Sequence, residues 1–270
     1  MEIQPRSFGD SLGDVVANLG KVWRPLLGPA IIASVVMGLL TILAFESTDS
    51  FAIFEVLLND PEALEFMSDD ELIDTLVELG SAMLLVSTIS LVGYGFLYLA
   101  AAGAVGRSHA VNGNEISVAG AAIRLFPVWL IATIIAAIGF IVGLILLIIP
   151  GLWLAIMFSM YTPVIAIEGK GPVPALRRSF ELVKGSFWET VGFLLIVGLV
   201  GGAAGQLFQL VAIPMLITGD TSFAFGIAFA IGVVGQGLIM AAIAVGSTTW
   251  YLNLRARADG PYLVEVGGQP

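Results

Sequence analysis

The feature that most constrains this chain is a series of six long apolar segments, none of which has a charged side chain in its interior. They cover roughly residues 26–45, 79–106, 126–149, 151–167, 190–217 and 222–252. Uncharged segments of about 18 or more residues are candidates for crossing a bilayer. Continuous runs of this kind fit helices, since barrel strands alternate over about 10 residues. We therefore predict an all-α, polytopic membrane protein with about six transmembrane helices.

The composition excludes several other classes of protein. Hydrophobic residues make up 58% of the chain and charged residues only 12%, whereas soluble domains have about 25% charged residues. A water-soluble single core and a disordered chain are therefore excluded. The net charge of −10 offers nothing to nucleic acid phosphates. Because cysteine is absent, there is no thiolate nucleophile and no cysteine metal site.

The distribution of lysine and arginine predicts the orientation. All 11 basic residues lie before the first span, in the second and fourth loops, or in the tail, and the other three loops have none. Cytoplasmic loops are enriched in lysine and arginine. We therefore expect a multi-pass protein of the cytoplasmic membrane with both termini in the cytoplasm. The domains are then a cytoplasmic amphipathic helix at 1–25, a transmembrane domain at 26–252 and a cytoplasmic tail at 253–270.

The first outer loop, residues 46–78, contains eleven acidic residues and no basic one. Ser68 with Glu71 forms the pattern of a capping box, and Asp60 with Pro61 that of a helix start. We expect short helices over the outer face. The loop is either a solvated acidic surface or a site for an external cation or a basic partner, and it contains no calcium-binding loop motif.

Three stretches have an apolar face at helical spacing, and each precedes a pair of spans. The first carries Phe8, Leu12, Val15, Leu19 and Val22. The second covers 174–184 with an Arg177–Glu181 pair, followed by a capping-box pattern at Ser186 and Glu189; a weaker third covers 118–126. We interpret them as in-plane helices on the cytoplasmic side. They suggest three repeated units, each an in-plane helix followed by a transmembrane hairpin.

Residues 150–200 resemble a known family. The motifs are Pro150-Gly151-Leu152-Trp153, then Tyr161-Thr162-Pro163 through Glu168-Gly169, then Ala175-Leu176-Arg177-Arg178-Ser179-Phe180 through Gly185-Ser186-Phe187-Trp188. This stretch is similar to an uncharacterised prokaryotic integral membrane family related to the membrane domain of glycerophosphoryl diester phosphodiesterases. The resemblance implies a multi-helix membrane domain of a prokaryote. It does not carry over the phosphodiesterase activity, which would have to come from a separate chain.

Two sets of polar residues are candidate site residues. The first, at the inner interface, contains Glu168, Arg177, Arg178 and Lys184. It either contacts lipid headgroups or a partner, or sets the topology and forms an Arg–Glu brace. The second lies within the spans and contains Gln206, Gln209 and Gln236. These side chains either hydrogen-bond between helices or line a polar cavity.

The single histidine and the paired glycines are interpreted as structural residues. His109, the single histidine, is predicted to be a surface residue with no metal-binding or nucleophile partner. Glycine pairs four residues apart predict close packing within the chain or a dimer contact. They are Gly139 with Gly143, Gly198 with Gly202, and Gly201 with Gly205.

The sequence thus predicts a non-catalytic membrane protein that interacts with lipid or docks a partner. Its expected partners are membrane lipids, another membrane protein or a separate phosphodiesterase chain. The alternative is a transporter or channel for a small or lipidic solute, which would need a continuous polar cavity past Gln206 and Gln236. We expect no metal, cofactor or catalytic residue.

Overall fold

The computed structural model describes residues 3–48, 67–110, 118–210 and 223–262, and within these ranges the chain is helical. The helices are α1 (Phe8–Ser47), α2 (Asp69–His109), α3 (Val118–Leu146), α4 (Ile148–Met157), α5 (Pro172–Lys184), α6 (Phe187–Gln209) and α7 (Phe223–Asp259). Between α4 and α5 lie a single turn, Tyr161–Pro163, and a π-helix, Val164–Glu168. Six stretches in the described part are long and apolar enough to cross a membrane. The predicted all-α polytopic class is confirmed.

Helix α1 corrects the prediction of a separate in-plane helix over residues 1–25. It is one continuous helix of 40 residues, or about 60 Å at 1.5 Å per residue. Phe8 packs edge-on against Phe193 and Trp250, with ring centroids 6.1 and 5.9 Å apart. The apolar face of the first turns therefore contacts α6 and α7, because those helices offer a protein surface in place of lipid.

The third amphipathic stretch, 118–126, is likewise the start of the long helix α3 and not a separate element. Only α5 is a separate short amphipathic helix, so the three-unit interpretation with a separate in-plane helix in each unit was wrong. The tail boundary at 253 also falls inside a helix, since α7 continues to Asp259.

Helix α2 begins inside the predicted acidic loop. Ser68 accepts a hydrogen bond from the Glu71 amide, and the Glu71 carboxylate accepts one from the Ser68 amide at 2.9 Å, so the predicted capping box is confirmed. The expected short helices between 49 and 66, including Asp60 and Pro61, lie outside the described residues. The second predicted capping box was wrong. Ser186 makes no side-chain cap, and the Glu189 carboxylate pairs with Arg257.

The fourth predicted span, 151–167, is a stretch of helix with a break in it. Helices α3 and α4 form a tight hairpin, where a Cβ on Gly143 would lie 2.7 Å from the Gly151 Cα. Helix α4 ends at Met157, and the chain then continues through Pro163, which has no amide hydrogen to donate, into the π-helix. Together, residues 148–168 remain long enough to cross a membrane.

The two ends of the described chain meet. The Ile3 amide donates to the Tyr262 carbonyl at 2.8 Å, and the Tyr262 amide donates to the Ile3 carbonyl at 3.2 Å. Helices α1 and α7 run antiparallel, with Asn18 beside Thr249 and Ser34 beside Gly237. At one end of the bundle, α1 and α3 begin and α2 and α7 end. We call it the basic end, since all 11 lysines and arginines lie on the segments that meet there.

The glycine pairs pack mostly within the chain, as one of the two interpretations predicted. A Cβ on Gly201 would meet Ile243 at 2.4 Å, and one on Gly205 would meet the Gln236 side chain at 2.6 Å. Gly198 and Gly202 differ, because a Cβ there would have no atom of another residue within 4 Å. Helix α6 therefore uses one glycine stripe to approach α7 and leaves the other facing outward.

Candidate functional site

A cluster of charged residues joins the π-helix, α5 and the last turns of α7 at the basic end. Glu168 is its centre, with a side chain only 9% exposed. The Tyr251 hydroxyl donates to Glu168 Oε1 at 2.6 Å, and Lys170 Nζ lies 2.7 Å from Oε2. Arg178 Nε and Arg255 Nε lie 3.5 and 4.0 Å from Oε1. We call Glu168, Lys170, Arg178, Tyr251, Arg255 and Asp259 the Glu168 cluster.

The local sequence explains how Glu168 meets Arg178. Gly169 has φ of 66°, a left-handed conformation that favours glycine, and it ends the π-helix directly after Glu168. Pro172 then stands in the first turn of α5, where its missing amide hydrogen is not needed. The chain therefore reverses over three residues, and α5 brings Arg178 back to the carboxylate.

Asp259 completes the charge balance of the cluster. Its carboxylate pairs with Arg178 Nη2 and lies 3.6 Å from Arg255 Nε. Burial alone would lower the pKa of Arg178, but the carboxylates of Glu168 and Asp259 outweigh it and raise that pKa. Arg255 also lies over the Tyr262 ring, 4.2 Å from its centroid. The cluster therefore ties α5 and the π-helix to the C-terminal segment.

Ser179 forms hydrogen bonds with free backbone groups at the break after α4. Its hydroxyl donates to the Met157 carbonyl at 2.8 Å and accepts from the Met160 amide at 3.0 Å. Ser179 is fully buried. Because broken helices in a bilayer need other partners for their free backbone groups, α5 holds the break through this one side chain.

The predicted inner-interface set divides into two pairs. Glu168 and Arg178 are bound within the cluster, and the Arg178 side chain is 15% exposed. Arg177 is 83% exposed and lies 3.2 Å from Glu181, which is the predicted i,i+4 pair. Lys184 is exposed at the end of α5. Only Arg177 and Lys184 face outward.

Of the three intramembrane glutamines, the structure describes the side chains of Gln206 and Gln236. Gln206 is exposed on α6, and the side chain of Gln209 lies outside the described residues. Gln236 is half-buried and packs against α6 at Gly205, so it lies at about the level of Gln206.

An open groove lies between α1, α2 and α3, and we call it the lateral groove. Its volume is about 920 Å³, and among the described residues that line it Thr88 is the one with a polar side chain. The Thr88 hydroxyl donates to the Leu84 carbonyl of its own helix at 2.8 Å. Ile32 and Ile123 are 66% and 64% exposed along its walls, so the groove opens to the side of the bundle.

A smaller polar cavity lies at the basic end between α1, α2 and α7, and we call it the Asn18 cavity. Its volume is about 160 Å³. Asn18 is buried, donates from Nδ2 to Thr249 Oγ1 at 3.0 Å, and has Oδ1 2.9 Å from His109 Nε2. The prediction that His109 is a plain surface residue was wrong, because it is half-buried against Asn18.

A protein-family model, described as a domain of unknown function, DUF7847, matches residues 76–254. This is about two thirds of the chain. The chain belongs to the DUF7847 family. No curated protein and no solved structure matches it. The expectation of an uncharacterised family is therefore confirmed at that level.

The DUF7847 region contains most of the Glu168 cluster and one part of each cavity. It runs from Leu76, within α2, to Leu254, and so includes Glu168, Arg178 and Tyr251. Helix α1, which supplies one wall of the lateral groove and of the Asn18 cavity, precedes the region. The sites of this chain are therefore built partly from DUF7847 elements and partly from α1.

Sequence reasoning missed the contribution of α7 to the cluster. Tyr251, Arg255 and Asp259 are four residues apart in sequence, which places them on one helix face. That spacing was a readable signal of a polar stripe. Their partner Glu168 is 83 residues before Tyr251, and no local pattern indicates that pairing.

Proposed function

We propose that this DUF7847 protein is a non-catalytic integral membrane protein that binds anionic lipid, with an acyl chain in the lateral groove. The observation that carries the proposal is the groove itself, which is apolar, open to the side and about 920 Å³ in volume. Ligand pockets of proteins have about 300–1,000 Å³. A groove that opens toward hydrocarbon takes an apolar chain more readily than a polar solute, because a polar group there would have few partners.

Arginines flank the groove near the basic end and support an anionic headgroup. Arg24 lies one turn before Gly28 on α1, and Arg124 follows Ile123 on α3; Gly28 and Ile123 both line the groove. Both arginines are exposed. Arg24 also lies over the exposed ring of Trp23, 5.4 Å from its centroid, and tryptophan favours the headgroup layer. Guanidinium groups bind phosphate oxygens in a forked geometry.

A non-catalytic role is supported by how the titratable groups are used. Glu168 has four partners, so its lone pairs are committed to fixed cations and to the Tyr251 hydroxyl. A general base must instead reach a substrate proton. In the described residues, no group of three or more histidine, cysteine or acidic residues could hold a metal ion.

Filling the groove tests the proposal. A Cβ on Gly28 would have no atom of another residue within 4 Å, so Gly28→Phe should place a ring in the groove without disturbing the helices. We expect this variant to retain fewer phosphatidylglycerol molecules in native mass spectrometry. Gly198→Phe is the matched control, because Gly198 on α6 is equally open. Equal retention by both variants would refute a lipid site in the groove.

We further propose that the basic end faces the cytoplasm of a prokaryotic cell, because lysine and arginine mark cytoplasmic loops. The chain has no cysteine, so single cysteines can report the sidedness. Asp70→Cys at the far end of α2 should react with a membrane-impermeant maleimide in intact cells, and Ala258→Cys at the basic end should be protected. The reverse pattern would contradict this orientation.

Partner docking is a second candidate, which the outer face of α5 favours. Val173 and Arg177 on α5 are 62% and 83% exposed, and Trp188 at the start of α6 is 80% exposed. The resemblance of residues 150–200 to the membrane domain of glycerophosphoryl diester phosphodiesterases makes a separate phosphodiesterase chain the partner to test. A photo-crosslinker at position 177, used in native membranes, should then yield that chain. Recovery of lipid alone would leave α5 as a membrane-contacting helix.

A further inference from the structure

The Asn18 cavity has a size and a lining that suit a small polar group. Its volume is about 160 Å³, which is well below the usual range for drug-sized ligands. The N-terminal segment and α1 form one side, His109 at the end of α2 forms another, and Thr249 and Asn253 of α7 form the floor. It is distinct from the lateral groove, which α1, α2 and α3 line with apolar side chains.

The hydrogen bonds of the cavity wall fix the orientation of its amide and its histidine. The Thr249 hydroxyl donates its only hydrogen to the Val245 carbonyl at 2.8 Å, so its oxygen must accept from Asn18 Nδ2. Asn18 Oδ1 therefore faces His109 and accepts from Nε2. This leaves Nδ1 of His109 as the ring nitrogen that takes up a second proton.

The other floor residue, Asn253, is held equally firmly. It is buried, and it accepts from the Arg6 amide at 2.9 Å and donates to the Ser11 hydroxyl at 2.6 Å. Its Nδ2 also donates to the Arg6 carbonyl at 3.2 Å. The segment that carries Arg6 is therefore fixed against α7, and the cavity is preorganised.

The charges around the cavity favour an anion. Arg6 and Lys21 are permanent cations in its lining, and His109 can become a third. Among the described lining residues Asp14 is the one carboxylate, and it lies 3.6 Å from Arg6 Nε, which offsets it. The described lining residues carry a net charge of +1 with neutral His109 and of +2 with protonated His109. Charge-assisted hydrogen bonds to such groups are the strong ones.

We propose that the Asn18 cavity binds a phosphate-type oxyanion, contacted by Lys21, Arg6 and, when its Nδ1 is protonated, His109. The oxyanion is either the headgroup of an anionic lipid or free phosphate, which share the same recognition chemistry. The proposal does not depend on the lateral groove. Gly28→Phe should leave this cavity intact, so the two proposals can fail separately.

Because His109 is the single histidine, its NMR signal reports on the cavity and needs no resonance assignment. The protein is labelled with ¹³C-histidine, purified in an uncharged maltoside detergent and titrated with inorganic phosphate at constant pH and ionic strength. We expect a saturable shift of the one imidazole signal. Lys21→Gln should weaken the phosphate affinity about tenfold, the loss expected when one charge-assisted contact is removed.

Matched variants separate binding from damage to the fold. Asp14→Asn removes the opposing carboxylate and should tighten phosphate binding, an effect that misfolding cannot produce. Arg177→Gln, a loss of one charge on α5, should leave the affinity unchanged. A shift that does not saturate, that sodium chloride reproduces, or that is equal in Lys21→Gln and the natural protein would overturn the proposal.

Nanodiscs distinguish the two sources of the oxyanion. If a lipid headgroup fills the cavity, the His109 signal should differ between phosphatidylglycerol and phosphatidylcholine nanodiscs before any phosphate is added. If the ligand is free phosphate, the two spectra should coincide and both should respond to the same titration. A histidine signal that depends on neither lipid nor phosphate would refute the site.

Discussion

The Glu168 cluster and the lateral groove both have arginines nearby, but they use them differently. In the cluster, Arg178 is 15% exposed and bound to Glu168 and Asp259. Beside the groove, Arg24 and Arg124 are exposed, next to walls of apolar side chains. The cluster thus uses its charges to hold helices together, whereas the arginines beside the groove are exposed, as the proposed lipid site requires.

Arg177 and Arg178 show the same difference between adjacent positions. Arg177 is 83% exposed and pairs with Glu181, one turn further along α5. A rotation of 100° per residue places the next guanidinium against the π-helix. The role of a basic residue at a membrane boundary can therefore be assigned only when its helix face and its partners are known.

The largest expected effect comes from breaking the cluster at its centre. Glu168→Gln would remove the charge that Lys170, Arg178 and Arg255 share, and an uncompensated buried ion costs about 3–5 kcal/mol. We expect a clear drop in the thermal unfolding midpoint in detergent, measured by tryptophan fluorescence.

Glu181→Gln is the control for that measurement, because it also removes a glutamate paired with an arginine. Glu181 is 51% exposed and its partner Arg177 is 83% exposed. Exposed pairs of this kind contribute less than about 1 kcal/mol. If the two variants melt at the same temperature, the cluster does not hold α5 and α7 together as described.

A smaller effect is expected at the helix break. Ser179→Ala removes the hydroxyl that binds the Met157 carbonyl and the Met160 amide. Leaving buried backbone groups unpaired costs about 1–3 kcal/mol. Ser81→Ala is the control, since the Ser81 hydroxyl bonds only to Glu78 of its own helix at 2.8 Å. Equal unfolding midpoints for both variants would mean that the break does not depend on α5.

The sequence predicted the features that depend on composition and local spacing. Six spans, the gathering of basic residues at one end and the Ser68–Glu71 capping box needed only hydropathy, charge placement and a four-residue pattern. The Arg177–Glu181 pair needed only the helical repeat. All of these are local properties, so a single sequence contains them.

Features that depend on pairing between distant segments could not be predicted. Glu189 matches the capping-box pattern, but in the structure its carboxylate pairs with Arg257, 68 residues later, and Ser186 makes no side-chain cap. His109 lacks local partners and meets Asn18 across 91 residues. Likewise, an apolar helix face indicates burial but does not indicate whether lipid or another helix covers it. For this reason the sequence alone predicts a boundary at residue 25, inside the continuous helix α1.

The smallest expected effect on stability, and the one that best separates the two regions, comes from the groove arginines. Arg24→Gln and Arg124→Gln should change the unfolding midpoint little, because both side chains are exposed. Each basic group near anionic lipid contributes about 1 kcal/mol, which is about a fivefold change in affinity. Phosphatidylglycerol retention in native mass spectrometry should therefore fall by that factor per substitution.

Arg178→Gln should show the opposite pattern, with lower stability and unchanged lipid retention. If Arg178→Gln lost lipid and Arg24→Gln did not, the roles assigned to the cluster and the groove would have to be exchanged.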